Sequence, residues 1–266
     1  MPSPNTLSIL FSDETLSLAV EEVHVWQVEM DVPEARMAAL SALLSVEEHA
    51  RAARFHQEIH RHRYIAGRGI LRLLLGRYTD LPPEALRFLI GSHGKPELAA
   101  AADPEGLQFN RSDAGGLALY AFGRGQRIGI DLEKIPDTFD FEPVARDFFT
   151  AHETGALLGL PDAQRLSAFY ACWTRKEAYL KGRGDGLTFG LDRFEVSLLP
   201  DAPPALLVTP FDPAETLRWS LYDLTVTPGY IAALAVETED RDAIAITQYA
   251  LGDPDTLIAP ANRTEP

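Results

Sequence analysis

One run, LSAFYACWTRKEAYLKGRGDG (166–186), constrains what this chain can fold into more than any other. At 3.6 residues per turn Leu166, Phe169, Tyr170, Trp173 and Leu180 fall on one side, the side a helix buries. Glu177 lies inside that apolar stripe, four residues after Trp173, and Lys181 follows one turn on. A carboxylate among aromatic rings stays ionised only if a cation or hydrogen-bond donors meet it. Gly182, Gly184 and Gly186 then stop the helix. Two readings stand side by side. Glu177 ligates a metal while Lys181 faces an anion, or the two form a surface pair at i,i+4 worth a few tenths of a kcal/mol.

The rest of the chain bears on that choice. At 266 residues it can bury a substantial core. A net charge of −15 argues against a general nucleic-acid binder, which needs a broad basic surface. The charge is unevenly spread, because from Arg51 to Arg77 seven arginines face a single acid, Glu58. Such segregation points to a local site for phosphate or for an acidic partner, or else to one solvated helix face. The single cysteine, Cys172, rules out an internal disulfide framework, and its place inside the helix predicts an inert packed thiol. The opening MPSPNTLSILFSDE lacks a basic segment followed by an apolar run, and the run LRLLLG is interrupted by Arg72. No signal peptide, no membrane span and a cytoplasmic location are therefore expected.

Along the chain, residues 1–22 read as a loose leader. Val23–Met30 alternates as a strand. Pro33 opens a helix to Leu44, and Ser45 with Glu48 makes a capping box for the next. The basic segment predicts two helices, one reaching His56 and one from His60 to Tyr78. Strands are expected at Leu86–Ile90, Leu107–Asn110, Leu117–Ala121 and Arg127–Glu133, with a linker over 91–106. The second half predicts helices at Phe141–Phe149, His152–Leu158 and Arg165–Lys181, then strands at Phe194–Leu199, Leu217–Leu224 and Tyr230–Val236. Helices followed by strands, twice, predict two similar α+β halves, 23–125 and 126–248, although no repeat is visible in the residues themselves. Residues 249–266 read as a disordered tail.

In RIGIDLE (127–133), a strand turns Gly129, Asp131 and Glu133 to one face and Ile128, Ile130 and Leu132 to the other. Carboxylates two residues apart lie roughly 7 Å apart, close enough to share a divalent ion, and Gly129 leaves room for a ligand beside the backbone. The alternative is an edge strand with a solvated acidic side. Adding Glu177 gives three carboxylates without nearby His or Cys, which selects Mg²⁺ or Mn²⁺ and a diphosphate-bearing substrate. SHGKPEL (92–98) presents Lys95 on a turn fixed by Pro96, suited to a phosphate or nucleotide. FNRSDAG (109–115) ends a strand in small polar residues able to donate to an anion.

In order, GKP (94–96), FNRSDAG (109–115), IGIDLE (128–133), FFTAHE (148–153), WTRKEAYLKGRGDGL (173–187) and LRWSLYDLTVTPGYIAALAV (217–236) resemble the Sfp-type 4′-phosphopantetheinyl transferases, over residues 23–245. The resemblance implies a pseudo-twofold pair of α+β halves with the site at their interface. It also implies transfer of phosphopantetheine from coenzyme A to a serine of an acyl or peptidyl carrier protein. Asp131, Glu133 and Glu177 would hold Mg²⁺, Glu177 or a water it orients would be the base, and Lys181 would stabilise the departing phosphate. Arg63 and Lys95, with Pro96, Ser112, Asp113 and more weakly Arg51, would bind the nucleotide end. Glu153 matches an acid near the reaction centre, or it is a helix-start glutamate. The family usually has Ser-His where this chain has Ser112-Asp113. An aspartate there repels a 3′-phosphate unless Arg111, Arg124 or another cation neutralises it, so weaker discrimination for that phosphate is expected. The carrier, a small acidic helical domain, would dock beside the basic segment, on a monomeric enzyme. The rivals are a metal-dependent nuclease or diphosphate hydrolase, since Asp131-Leu-Glu133-Lys134 comes within one residue of a D…E-x-K pattern, and a non-catalytic carrier-binding homologue.

Overall fold

Two layers of sheet lie back to back between two long helices. The computed structural model describes residues 16–91, 96–99, 106–184, 186 and 189–251. The first half runs β1 (Glu22–Glu29), α1 (Glu34–Ala42), α2 (Val46–Ala52), α3 (Glu58–Thr79), a short hairpin β2 (Phe88–Ile90) and β3 (Pro96–Leu98), and a long hairpin β4 (Leu107–Ala114) and β5 (Leu117–Arg124). The second runs β6 (Ile128–Lys134), α4 (Glu142–Phe148), α5 (Ala151–Gly159), α6 (Asp162–Arg183), β7 (Glu195–Val196), β8 (Leu206–Val208), α7 (Glu215–Arg218), β9 (Trp219–Asp223), β10 (Tyr230–Glu237) and β11 (Ala245–Leu251).

The larger sheets have the orders β11-β1-β5-β4 and β6-β10-β9. Three antiparallel strands in the arrangement β1-β5-β4 thus correspond to β6-β10-β9. Strand alternation builds the layers. Val23, Val25, Leu119, Ile128, Ile130 and Leu234 form a core between the sheets. The opposite faces carry Trp26 and Phe122 to α3, and Ala233 and Ala235 to α6. The α+β class and the two similar halves expected from the sequence are present.

The repeat that no residue-by-residue comparison reveals is visible in what buried charges do. Ser45 and Glu48 cap α2 with a reciprocal capping box, and Thr150 and Glu153 cap α5 the same way. Both glutamates are buried, and each reaches a buried cation on the long helix: Glu48 to Arg72 at 2.8 Å, Glu153 to Lys176 at 2.8 Å. Arg72 and Lys176 each stand fourteen residues after the first residue of their helix, 58 and 162. The two halves therefore share a device although the cation differs.

Several expectations change. Residues 16–21 are not loose: Leu18 is buried and Leu16 N–H donates to the Arg77 carbonyl. The segment 249–251 belongs to β11, which leaves the second half and pairs in parallel with β1. Residues 1–15 and 252–266 lie outside the described residues. The expected linker contains β3, and the expected strand at Leu217 begins at Trp219 after the turn of helix α7. The hairpin strands β4 and β5 are longer than expected because Gly115 and Gly116, with φ of 57° and 96°, turn the chain in two residues. FNRSDAG is consequently strand to Ala114, not a loop end. Ile128, Ile130 and Leu132 face the first sheet, so Gly129, Asp131 and Glu133 face α6.

Candidate active site

Helix α6 is laid on β6 where Gly129 lets the two backbones come close. A Cβ on Gly129 would stand 2.1 Å from the Ala178 carbonyl oxygen and 2.2 Å from the Gly182 nitrogen. Gly129 therefore admits a helix, not a ligand, and this corrects the expectation drawn from the strand. Glu177 and Lys181, which flank Ala178 and Gly182 in the sequence, are thereby carried to the strand that bears Asp131 and Glu133. Gly184, in the left-handed region, ends α6 with its N–H on the Leu180 carbonyl.

The centre of the site is Asp131, which is 3% exposed. Its Oδ1 accepts from Lys181 Nζ at 2.5 Å and from Ser112 Oγ at 3.0 Å, and Lys181 Nζ also donates to Ser112 Oγ at 3.0 Å. Three elements, β4, β6 and α6, meet here. Ser112 faces β6 because its neighbour on the same face, Asn110, accepts the Ile130 N–H at 2.9 Å. Asp131 Oδ2 is buried and has no hydrogen-bond partner among the described residues.

The other carboxylates carry the electrostatic mark of shared space. Burial pushes Glu177 up to about 7, the Asp131 and Glu133 charges push the same way, and Lys181 opposes them. Burial, then Asp131, raises Glu133, while Lys181 and a hydrogen bond from Trp173 hold it down. Sequence reasoning placed Trp173 in the apolar stripe and missed this contact. Its position four residues before Glu177 was the available signal. Among the described residues no three acidic, histidine or cysteine side chains form a ready-made metal cage. Mg²⁺ seldom needs one, since a few carboxylates and substrate phosphate oxygens share its coordination. An orphaned buried carboxylate oxygen beside two mutually repelling carboxylates fits a hard divalent cation.

The nucleotide-binding candidates divide. Ser112 joins the site directly. Asp113 lies on the α3 side of β4 and pairs with Arg111 Nη1 at 2.9 Å. Arg63 makes a two-point pair with Asp31, Nε to Oδ1 at 2.6 Å and Nη2 to Oδ2 at 2.7 Å, beside Gly116, and feels the charge of Asp113. Asp31 was not anticipated. Arg124 is elsewhere, donating to the Tyr78 carbonyl, so Arg111 is the neutralising cation. Arg51 is exposed over the Tyr64 ring and is not brought to Asp131. Pro96 starts β3, and Lys95 lies outside the described residues.

Two other expectations resolve into structure. Glu153 is 2% exposed and is satisfied by Lys176, the Thr150 N–H and the Val196 N–H at 2.8 Å, which makes it a helix-start glutamate of the core. Cys172 is buried with its thiol pushed up by desolvation, as an inert cysteine should be. Arg68 and Arg72 of the basic segment are taken up by Glu48 at 3.0 and 2.8 Å.

A lysine-capped carboxylate group thus lies at the seam of the two α+β halves. Comparisons with known proteins name the class. Residues 31–123 match the family model "4′-phosphopantetheinyl transferase, N-terminal", and residues 127–235 match "4′-phosphopantetheinyl transferase superfamily". The chain is 42% identical over 221 residues to the 4′-phosphopantetheinyl transferase HetI of a Nostoc species, covering 83% of this chain and 90% of that one. It is 29% identical over 210 residues to the 4′-phosphopantetheinyl transferase Sfp of Bacillus subtilis strain 168, covering 78% and 89%. A solved holo-[acyl-carrier-protein] synthase of Thermotoga maritima matches at 22% identity and a TM-score of 0.33, over 42% of this chain and 63% of that one. The chain belongs to the 4′-phosphopantetheinyl transferase superfamily, and it is an enzyme of that class.

Proposed function

We propose that this enzyme moves the phosphopantetheine arm of coenzyme A to a serine of an acyl or peptidyl carrier protein, with Mg²⁺ or Mn²⁺ held by Asp131, Glu133 and Glu177. The observation that carries the reading is Asp131 itself: one oxygen is fixed by Lys181 and Ser112, and the other is buried without a partner among the described residues. Bound there, the cation supplies charge neutralisation for the coenzyme A diphosphate.

The chain's own groups do the rest. The serine hydroxyl oxygen attacks the phosphorus nearer the pantetheine, and the bond to the oxygen bridging toward the adenosine side breaks, releasing adenosine 3′,5′-bisphosphate. Glu177, directly or through a water, accepts the hydroxyl proton. Lys181 steadies the negative charge that develops on the departing phosphate. Positioning and charge stabilisation are what such transfers need most. Ser112 and Arg63 serve the nucleotide end, a role the resemblance extends to Lys95 and Pro96.

Among the described residues no helix is long and apolar enough to cross a membrane. Incubation with coenzyme A, Mg²⁺ and an apo carrier protein, followed by mass spectrometry, should show one phosphopantetheine added per carrier. Release of nucleotide without carrier would instead identify a diphosphate hydrolase. Glu177→Ala should lower turnover by orders of magnitude, whereas a mere carrier-binding protein would lose nothing.

A further inference from the structure

Part of the basic segment is spent on ion pairs with other elements of the protein, and what it leaves outside is a mixed apolar and cationic surface. Arg63, Arg68 and Arg72 have internal carboxylate partners. Arg54, His56, His60 and Arg61 are exposed where α2 gives way to α3, and Arg61 shares only a solvent-exposed i,i+3 pair with Glu58 at 3.4 Å, a kind of contact that holds a cation weakly. Among them stand two large apolar side chains open to solvent, Phe55 at 38% and Ile59 at 44% exposure. Phe55 leans on Tyr64 with ring centroids 5.4 Å apart, so it is held in place rather than loose. In a protein of net charge −15, this face sets arginines beside exposed apolar side chains.

This patch is also connected to the site. Ile59 and Arg63 are four residues apart and share a face of α3. Arg63 is paired to Asp31 beside the β4–β5 turn, and β4 carries Ser112 onto Asp131.

Resting on the transfer reading above, we propose that the face made by Phe55 and Ile59, rimmed by Arg54 and Arg61, is where the acidic helical carrier domain docks. The apolar pair seats an apolar face of one carrier helix, and the arginines meet its carboxylates. Charge complementarity selects this occupant: a basic or neutral partner gains nothing from the rim, and the remainder of the enzyme repels an acidic one. The patch governs encounter and not chemistry, so it should act on KM for the carrier and not on kcat.

The test compares wild type with Arg54→Glu/Arg61→Glu and with Ile59→Ser, using a purified apo acyl carrier protein as acceptor and melting temperature as a check on folding. Both variants should melt like wild type and bind coenzyme A within twofold of it. Each should raise KM for the carrier about tenfold, roughly 1.4 kcal/mol, and reach the wild-type rate at saturating carrier. Wild-type KM should rise with salt, and that dependence should be shallower in the double variant. A KM within twofold of wild type in both variants overturns the docking face while leaving the transfer reading intact. Absence of transfer by wild type overturns both.

Discussion

Gly129 on β6 and Gly182 on α6 meet with nothing between their backbones: a Cβ added to the first would lie 2.2 Å from the nitrogen of the second. This contact sets how close the helix bearing Glu177 and Lys181 comes to the strand bearing Asp131 and Glu133.

Gly129→Ala should therefore be far worse than a one-carbon change suggests. The atoms it would strike, the Ala178 carbonyl oxygen and Gly182 nitrogen, are backbone and cannot swing away. Overpacking of a core by a methyl commonly costs about 1–3 kcal/mol, and a rigid obstacle puts this case at or above the upper end. Urea denaturation should show the loss, and the folded fraction should transfer poorly because α6 is displaced from Asp131.

How much of this the sequence disclosed follows from what kind of information each feature needs. Glu177, Lys181 and Asp131 were legible because periodicity and alternation assign faces, and a carboxylate on an apolar face is conspicuous. The purpose of Gly129 was not, because the sequence cannot say which element fills the space a glycine leaves. The Ser45–Glu48 capping box was readable from local spacing, whereas the partner of Glu48, Arg72, comes from another helix. Asp31 went unnoticed for the same reason, since its pairing with Arg63 crosses 32 residues. Strand β11 is not legible, and its last three residues fall in the expected tail, because its pairing with β1 spans nearly the entire chain.

Lys181→Ala should separate catalysis from cation binding. Lys181 holds one oxygen of Asp131, so removing it leaves three coupled carboxylates without their balancing ammonium. Transfer should fall by at least about a hundredfold, about 2.7 kcal/mol of lost stabilisation. Mg²⁺ affinity, followed by calorimetry without substrate, should hold or increase. A weaker Mg²⁺ affinity would show that Lys181 arranges the carboxylates rather than competing with the cation.

Glu177 makes stability depend on pH in the metal-free protein. Its folded value, about 7, lies above the ordinary 4.5, so the neutral form favours folding. That contribution is complete below about 4.5 and is lost as pH rises through about 7. The loss should be about 3 kcal/mol at most, from about 1.4 kcal/mol per unit. Denaturation in a chelator across this window should show the decline, and Glu177→Gln should flatten it. Saturating Mg²⁺ should offset the decline in wild type by binding the folded form.

Asp113 should leave the enzyme tolerant of a missing 3′-phosphate. Arg111 is tied to Asp113 at 2.9 Å, and Arg63 to Asp31, so two cations near this end of β4 already have carboxylate partners. Coenzyme A should be preferred over dephospho-coenzyme A by less than about a hundredfold in kcat/KM, or about 2.7 kcal/mol. Asp113→His should widen the preference by freeing Arg111. A larger preference in wild type would refute the assignment.

Glu153 and Lys176 provide the test of what is scaffold. Each is buried, and the lysine's remaining bonds go to the Leu191 and Phe194 carbonyls, so neither has a free face toward substrate. Lys176→Met strands a buried carboxylate and should cost about 3–5 kcal/mol. Adding Glu153→Gln removes that charge and keeps an acceptor for one of the Thr150 and Val196 N–H groups, which bond different oxygens of the glutamate, so the double variant should recover part of the loss. Denaturation of the four proteins yields the coupling energy. Turnover per folded molecule should stay within twofold throughout, and a selective fall in kcat for Glu153→Gln alone would return that residue to the chemistry. The matching pair in the first half, Glu48 and Arg72, should show the same coupling, because it fixes α2 to α3 as Glu153 and Lys176 fix α5 to α6.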